Sequence, residues 1–292
     1  MKKIIVGIGE ILWDMLPAGK QLGGAPMNFA YWINRLGGNA FMVSSVGNDA
    51  LGGEILSRLN KIDIEEIFVQ KSLEYPTGTV DVKIDDKGKP DYVIHENVAW
   101  DYIEWSDELQ KLAKRTDAVC FGSLAQRSDV SRGTILRFLE NVDKKCIKIF
   151  DINLRQDFYN KEIIKNSLAY ATILKLNDEE LPIVGNMFEL TGDDQTIIRK
   201  LIDKFDLEIV ALTLGDNGSL LISKNDISEQ KGIKVDIVDT VGAGDSFSAA
   251  IVMGLLEGET LEEINRSANE LAAKVCTQKG GTGEEESTFN NQ

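Results

Sequence analysis

The stretch Asp239-Thr240-Val241-Gly242-Ala243-Gly244-Asp245-Ser246-Phe247 leads directly into an apolar run at residues 248–256. That run predicts a buried helix, whose first turn must begin near Gly242 to Asp245. A helix N-terminus carries unpaired backbone N–H groups and about half a positive charge, so glycines there let a phosphoryl group approach closely. Asp245 is then placed to accept a proton from a hydroxyl that attacks phosphorus. Alternatively, the glycines only shape a turn and Asp245 is a first-turn acid favoured by the helix dipole.

Length and charge limit the class of protein. The chain has 292 residues, of which 43% are hydrophobic and 27% are charged, and we expect one large α/β domain across residues 1–292. The net charge of −15 argues against nucleic acid and against an anionic membrane as partners, because phosphate groups require clustered Lys and Arg. It does not exclude a nucleotide, since backbone amides, one Arg and a divalent metal can hold a triphosphate.

The cysteines and the apolar runs indicate the compartment. Cys120, Cys146 and Cys276 stand among apolar neighbours, which predicts core residues rather than disulfide partners or metal ligands. No apolar run in the sequence approaches the ~20 residues that a membrane-spanning helix needs. The start of the chain resembles a signal peptide only briefly, before Glu10 and Asp14 interrupt the pattern. We therefore expect a cytoplasmic protein.

Short β-rich runs alternate with helical patterns along most of the chain. This order is typical of βαβ units, in which helices cover both faces of a parallel sheet. It predicts a doubly wound, mostly parallel α/β sandwich with right-handed crossovers. The predicted strands are residues 4–8, 40–46, 118–122, 148–152, 173–176 and 209–214. The predicted helices are residues 27–36, 51–60, 107–115, 132–141, 178–184, 196–205 and 260 to about 278.

One region breaks this alternation. Residues 79–84 and 92–95 alternate in polarity on either side of Asp85-Asp86-Lys87-Gly88, which predicts a β-hairpin. With the segment at residues 10–24, the region at residues 76–100 would form a small β-sheet that lies over the main sheet as a lid. A lid has a physical purpose in phosphoryl transfer, because water must be kept from the reactive phosphate. A surface hairpin without functional consequence is the alternative.

Four motifs follow one another along the chain. They are Gly23-Gly24-Ala25-Pro26-Met27-Asn28-Phe29-Ala30 with the later Gly37 and Gly47, then Asn177-Asp178-Glu179-Glu180, Leu212-Thr213-Leu214-Gly215-Asp216-Asn217-Gly218, and residues 239–252. In type, order and spacing they resemble the signatures of the PfkB (ribokinase-like) carbohydrate kinase family. The resemblance covers nearly the whole chain. It implies a kinase that uses ATP and Mg²⁺ to phosphorylate a small sugar.

The resemblance also implies which residues bind the sugar. Asp14, Gly23, Gly24 and Asn28 match positions that contact sugar hydroxyls. A carboxylate and an amide together suit a polyol, because they can accept hydrogen bonds from some hydroxyls and donate to others. From the residues alone, Asp14 could equally be a turn residue before Pro17, and Asn28 could be a helix cap.

The phosphoryl and nucleotide contacts follow from the same resemblance. Gly242, Ala243 and Gly244 match the anion hole that neutralises the transferring phosphoryl group, and Asp245 matches the general base. The implied nucleotide contacts are Asn177, Thr213, Gly215, Gly218 and Asn269. Asn177 and Glu180 lie three residues apart, so on a helix they would share a face. Glu180 would hold Mg²⁺ through a water, and Asp239 is a candidate ligand for a monovalent cation such as K⁺.

The choice of sugar depends on one further segment. Asp151-Ile152-Asn153-Leu154-Arg155-Gln156-Asp157-Phe158-Tyr159 resembles the Asp-x-Asn-x-Arg pattern of fructokinases and 2-keto-3-deoxygluconate kinases, whereas ribokinases usually lack that Arg. Asn153 would bind the substrate. Arg155 could bind the γ-phosphate during transfer, which favours fructose, or a substrate carboxylate, which favours the keto-deoxy acid. The opening at residues 9–14 also resembles a fructokinase, so we favour fructose. A salt-bridged Arg at the edge of the core is the structural alternative.

Two other classes of protein share parts of the pattern. A dehydrogenase would need a third glycine after Gly7-Ile8-Gly9, and the sequence lacks it. A sugar-binding protein that has lost catalysis would keep the fold, but Asp245, Asn177 and Glu180 are all present. The exposed edge of the small sheet could also pair with a second copy to make a homodimer.

Overall fold

The computed structural model describes residues 2–17, 19–84 and 90–282, with the backbone alone for residues 82–84 and 90–92. Within these residues the strands form two sheets. In chain order the strands are β1 (Ile5–Ile8), β2 (Leu12–Leu16), β3 (Gly19–Gly23), β4 (Ala40–Gly47), β5 (Val69–Ser72), β6 (Thr79–Ile84), β7 (Pro90–Ile94), β8 (Ala118–Phe121), β9 (Ile147–Asp151), β10 (Ile173–Asn177), β11 (Ile209–Thr213), β12 (Gly218–Ser223) and β13 (Ile227–Lys231).

The main sheet has the order β13-β12-β11-β10-β9-β8-β1-β4-β5. Its neighbouring strands run parallel, apart from β12, which is antiparallel to both β11 and β13. Ile5 of β1 pairs with Ala40 of β4 on one side and with Ala118 of β8 on the other. Parallel pairing requires crossovers, and helices supply them. The predicted mostly parallel α/β sandwich is therefore confirmed.

Helices cover both faces of the main sheet. Along β1, Val6 and Ile8 belong to one apolar cluster and Ile5 to the other, so successive side chains enter opposite layers. None of the helices in the described ranges is both long enough and apolar enough to cross a bilayer. Those helices are α1 (Ala25–Arg35), α2 (Ala50–Lys61), α3 (Asp107–Ala113), α4 (Asp129–Asn141), α5 (Lys161–Tyr170), α6 (Glu180–Met187), α7 (Asp194–Phe205), α8 (Ala243–Glu257) and α9 (Leu261–Val275).

A second, smaller sheet combines the two segments that broke the alternation. Its order is β3-β2-β6-β7, and β2 pairs in parallel with β6, so that Trp13 lies beside Thr79. β6 and β7 form the predicted hairpin, in which Val80 pairs with Ile94. The predicted turn at residues 85–88 lies outside the described residues. The small sheet is confirmed, whereas its role as a lid stays a prediction.

Four elements, α5, β5, β12 and β13, lie outside the predicted ones. The sequences of α5, β12 and β13 nevertheless carry ordinary signals. In α5, the buried Ile163, Ile164 and Leu168 recur at helical spacing. Asn225-Asp226 separates the two short runs that form the hairpin of β12 and β13. Packing determines the position of the hairpin, because β12 and β13 extend the sheet beyond β11 and α9 lies against both strands.

The segment after β10 corrects one prediction. The spacing of Asn177 and Glu180 suggests that they share a helix face, but Asn177 ends β10 and α6 begins only at Glu180. Asn177 Oδ1 accepts hydrogen bonds from the N–H groups of Glu179 at 3.0 Å and Glu180 at 2.8 Å. The shared helix face is therefore wrong, because the Asn177 side chain bonds the start of the helix from outside it.

Candidate active site

A cavity of about 1220 Å³ lies between the small sheet and the carboxyl ends of the main-sheet strands. Ligands of open parallel α/β sheets bind at this edge. The predicted residues that line the cavity are Asp14, Gly24, Asn28, Asn153, Arg155, Asn177, Glu180, Thr213, Gly215, Gly218, Asp239, Gly242, Ala243, Gly244, Asp245 and Asn269. Gly23 does not line the cavity; it packs so closely on the Asp14 carboxylate that a Cβ there would collide with it.

The first turn of α8 lines the cavity with backbone. Gly242 precedes the helix with a φ of +80°, a conformation that favours glycine, and a Cβ there would collide with the backbone of Gly281. α8 then begins at Ala243, and its first N–H groups have no acceptor within the helix. They present the positive end of the helix dipole to the cavity, which suits the anion hole predicted at Gly242, Ala243 and Gly244.

Asp245 occupies the same first turn and is half-buried. Its Oδ2 accepts a hydrogen bond of 2.7 Å from Nδ2 of Asn28, a buried residue of α1. Burial and the Asp151 carboxylate raise the pKa of Asp245 to about 6, although Asn28, Lys175 and Arg155 lower it. Asp245 is therefore mostly ionised at neutral pH and remains basic enough to accept a proton.

A buried ion pair, which sequence reasoning missed, lies behind this turn. Lys175 Nζ donates to Asp151 Oδ1 at 3.0 Å, and Asp151 Oδ2 accepts from Ser248 Oγ of α8 at 2.8 Å. A Cβ on Gly244 would lie 2.7 Å from Lys175 Nζ, so the glycine lets the ammonium approach the first turn. The available signal was a charge inside the apolar strand β10, because a buried charge needs a partner.

Lys175 keeps its proton in this setting. Burial lowers the pKa of its ammonium, but the carboxylates of Asp151, Glu180 and Asp245 together raise that pKa above the usual value. Lys175 also lines the cavity. A positive side chain therefore stands beside the positive end of α8, where a phosphoryl group would develop charge.

Polar and apolar groups share the end of the cavity beneath the small sheet. Asp14, on β2, lines it together with Asn28. Burial raises the pKa of Asp14 to about 6, Arg155 opposes this rise, and Asp239 adds to it. The apolar lining residues here are Leu12, Leu16, Val80, Ile94 and Leu124. A mainly apolar pocket with a few polar groups is typical of sites for small molecules.

The loop after β9 carries Arg155. Asn153 and Gln156 have φ of +44° and +46°, a left-handed conformation that residues other than glycine rarely adopt. Backbone strain of this kind concentrates at functional sites. Arg155 is exposed between them, and its Nη1 donates to the Leu154 carbonyl at 3.1 Å. This exposure disfavours the alternative of a salt-bridged residue at the edge of the core.

Glu10 is a second lining residue that sequence reasoning did not single out. It follows β1 and is only 2% exposed. Among the described residues, its Oε2 has no hydrogen-bond partner. Burial raises the pKa of Glu10 to about 7; the N–H groups of Glu10 and Ala25 and the charge of Arg155 oppose the rise, and Asp245 adds to it. The available signal was an acid two residues after the end of a buried strand, at the edge where ligands bind.

Glu180 joins the loops after β9 and β10. Its Oε1 accepts from the Leu154 N–H at 2.8 Å, and its Oε2 accepts from the Asn177 N–H at 2.9 Å. Each oxygen keeps a second lone pair, which fits a metal-bound water better than direct ligation. In the part of the chain that the structure describes, no three His, Cys, Asp or Glu side chains form a metal-binding group.

Three of the predicted nucleotide contacts lie at the end of β11 or just beyond it. Thr213 is the last residue of that strand, and Gly215 and Gly218 flank the turn into β12. Asn269 Nδ2 donates to the Lys231 carbonyl at 2.8 Å and so connects α9 to β13. The apolar residues that line the cavity here are Ile233, Val235, Ile237, Ala272, Ala273 and Cys276. This surface suits a nucleotide base.

Asp239 connects the loop before α8 to the segment after α9. Its Oδ1 accepts from the Val241 N–H at 3.1 Å, and its Oδ2 accepts from the Gly280 N–H at 2.9 Å. Trp32 Nε1 donates to the Gly281 carbonyl at 2.8 Å and holds the same segment from α1. Asp239 thus has a structural role, and its role as a cation ligand stays a prediction.

Comparison with known proteins decides the family. A model described as pfkB family carbohydrate kinase matches residues 18–288. The chain belongs to the pfkB family of carbohydrate kinases. The predicted family and enzyme class are therefore confirmed.

Individual pfkB relatives differ in their sugars. The structure of an uncharacterized sugar kinase of Pyrococcus horikoshii in complex with ATP is 27% identical, with a TM-score of 0.81 over 96% of this chain and 94% of that one. A fructokinase of Salmonella typhimurium is 27% identical over 85% of this chain and 83% of its own length. An ATP-dependent 6-phosphofructokinase of Thermoanaerobacterium thermosaccharolyticum is 29% identical over 89% of this chain and 83% of its own length.

Proposed function

We propose that this pfkB kinase transfers the γ-phosphoryl group of ATP to a primary hydroxyl of a small sugar, with D-fructose as the favoured acceptor. The observation that carries the proposal is Asp245, a half-buried carboxylate held by Asn28 in the first turn of α8. It stands where helix amides can receive a phosphoryl group. The fructokinase relative supports the sugar, and the ATP-bound sugar kinase supports the nucleotide.

The proposed reaction is a single displacement at phosphorus. The acceptor hydroxyl lies against Asp245, which takes its proton as the sugar oxygen bonds to the γ-phosphorus. The bond from that phosphorus to the bridging oxygen breaks, and ADP leaves with the bridging oxygen. The first-turn amides of α8, together with Lys175 and Arg155, neutralise charge on the transferring oxygens.

The other residues bind and orient the two substrates. Asp14, Gly24, Asn28, Asn153 and Arg155 would contact the sugar, and Gly23 would position Asp14. Asn177, Thr213, Gly215, Gly218 and Asn269 would contact the nucleotide. Glu180 would hold Mg²⁺ through a water, and the ion would supply Lewis-acid neutralisation of the phosphates. Asp239 is the candidate ligand for K⁺.

The small sheet completes the proposal. Together with the main sheet it would act within one domain, with β2, β3, β6 and β7 as a lid that excludes water from the phosphate. Its outer edges would be the surfaces of a homodimer. The cytoplasm is the expected compartment.

Two alternatives share this geometry. A kinase for 2-keto-3-deoxygluconate would use Arg155 to bind the substrate carboxylate, and a ribokinase would use the same base on ribose. A noncatalytic sugar-binding protein would keep the cavity without turnover, but the general base, the helix terminus and Lys175 all line the cavity here.

An assay of acceptors tests the proposal. With MgATP, D-fructose is expected to release ADP at about 1–100 s⁻¹, as kinases of this chemistry do. Phosphorus NMR should show a sugar phosphate ester rather than free phosphate. D-Ribose and 2-keto-3-deoxygluconate are the comparison acceptors, and preferred turnover of either would replace fructose. Tight fructose binding with no ester from any of the three would instead support the noncatalytic alternative.

A further inference from the structure

Glu10 has no task in the reaction described above, yet it lines the cavity that serves it. Its carboxyl is buried, and among the described residues nothing bonds Oε2. The N–H groups of Glu10 and Ala25 and the charges of Asp245 and Arg155 surround it. Glu10 therefore lies near the start of α1, the helix that also carries Asn28, and near the general base.

A buried carboxyl oxygen without a partner is costly, because it loses its hydration and gains no hydrogen bond in return. Burial accordingly raises the pKa of Glu10, and the nearby N–H groups only partly oppose the rise. A buried polar atom without a partner in the protein requires an explanation. Since Glu10 lines a ligand cavity, a hydrogen-bond donor on the ligand is the simplest partner for Oε2.

The charges around the acceptor end favour an uncharged ligand. Of the carboxylates that line the cavity, those of Glu10, Asp14, Asp239 and Asp245 stand near one another at this end, and the charge of Arg155 opposes those of Glu10, Asp14 and Asp245. Lys175 already pairs with Asp151 on the side of α8. An acceptor that carries a carboxylate or a phosphate would add negative charge to this acidic group, and like charges in a poorly solvated site repel each other.

We propose that Glu10 is a specificity-determining residue, whose Oε2 accepts a hydrogen bond from a hydroxyl of an uncharged sugar and whose charge disfavours anionic acceptors. This inference rests on the proposed function and deepens it. It assigns fructose rather than a keto-deoxy acid, and it separates this chain from the 6-phosphofructokinase relative, whose name specifies a phosphorylated acceptor.

Replacing the carboxyl by an amide, with all assays at pH 8 where Glu10 is mostly ionised, tests both parts. Glu10→Gln replaces Oε2 by an amide nitrogen or oxygen that carries no charge. Because the charged acceptor is lost, we expect KM for D-fructose to rise about tenfold or more. We expect kcat to change less than threefold and KM for ATP to stay the same. The preference for fructose over 2-keto-3-deoxygluconate and over fructose 6-phosphate should fall about tenfold. Glu162→Gln, which changes an exposed glutamate of α5, is the matched control and should change none of these values.

Two measurements separate this role from a structural one. Damage to the fold would raise the KM values for both fructose and ATP and would lower the unfolding temperature. The proposal instead predicts that the unfolding temperature of Glu10→Gln at pH 8 equals or exceeds that of the wild type, because the substitution removes a buried charge. Calorimetric titration with D-fructose in the absence of ATP should show the same loss of affinity.

The outcomes are distinct. If the wild type phosphorylates fructose and the variant keeps its affinity and its preference among acceptors, the assignment of Glu10 is wrong and the proposed function stands. If the wild type neither binds nor phosphorylates fructose, both are wrong.

Discussion

Asp245→Asn is expected to lower kcat for D-fructose about 10²–10⁴-fold, the range that general-base catalysis contributes. The amide keeps the size of the side chain, and its oxygen can still accept from Asn28 Nδ2, so the first turn of α8 should hold its shape. It cannot take the proton of the attacking hydroxyl. Calorimetric affinities for fructose and ADP should therefore stay within about threefold of the wild type while turnover collapses.

The pH dependence of the wild type provides the control for this prediction. The pKa of Asp245 is raised to about 6, so the carboxylate is the major form above that pH and the protonated acid below it. Turnover of the saturated enzyme needs the ionised form, and kcat should fall about tenfold per pH unit below about pH 6. Asp14 titrates in the same region. The Asp14→Asn variant should bind the sugar more weakly, but its kcat should still fall at acid pH. If kcat of this variant no longer fell at acid pH, Asp14 rather than Asp245 would be the group whose protonation stops turnover.

Lys175→Met is expected to lower the free energy of unfolding by about 3–5 kcal/mol, because it leaves a buried carboxylate without its counter-charge. Asp151 and Lys175 are both buried, and their 3.0 Å pair lies beneath the first turn of α8. The Asp151 carboxylate would keep only the hydroxyl of Ser248 among these partners. Urea unfolding followed by circular dichroism measures the loss.

A second substitution distinguishes the loss of the pair from the loss of packing. In Lys175→Met combined with Asp151→Leu, the unpaired charge is gone, and most of the lost stability should return. Ser248→Ala removes one neutral donor to a charged acceptor and should cost only about 1–3 kcal/mol. A single Lys175→Met variant within about 1 kcal/mol of the wild type would show that the pair contributes little to stability.

The main sheet could be predicted because its strands are buried on both faces. The runs at residues 4–8 and 209–212 are apolar throughout. Because helices separate such runs along the chain, a parallel arrangement of the strands is expected. The small sheet was also predictable, since residues 79–84 alternate in polarity. The hairpin of β12 and β13 was not predicted, because its short runs differ little from a loop until β11 and α9 pack beside them.

The candidate site was predictable where it depends on local backbone. Gly242 and Asp245 belong to one helix start, and a contiguous motif specifies them. Lys175 and Glu10 were missed because their significance is tertiary: each is an isolated charge whose burial depends on strands and helices distant in sequence. The requirement for glycine at position 242 also depends on a contact distant in sequence, because a side chain there would collide with Gly281. The spacing of Asn177 and Glu180 gave a wrong prediction of a shared helix face, because Asn177 ends a strand and Glu180 begins a helix.

The position of a bound acceptor tests the central claim most directly. A crystal structure with D-fructose and a non-hydrolysable ATP analogue should place a primary hydroxyl oxygen about 2.6–3.2 Å from an Asp245 carboxylate oxygen, on the side that faces the γ-phosphorus. The analogue's terminal phosphate should lie against the first turn of α8. The account would be contradicted if the hydroxyl that faces the γ-phosphorus lay against the carboxylate of Asp14 or Glu10, while Asp245 contacted only Asn28.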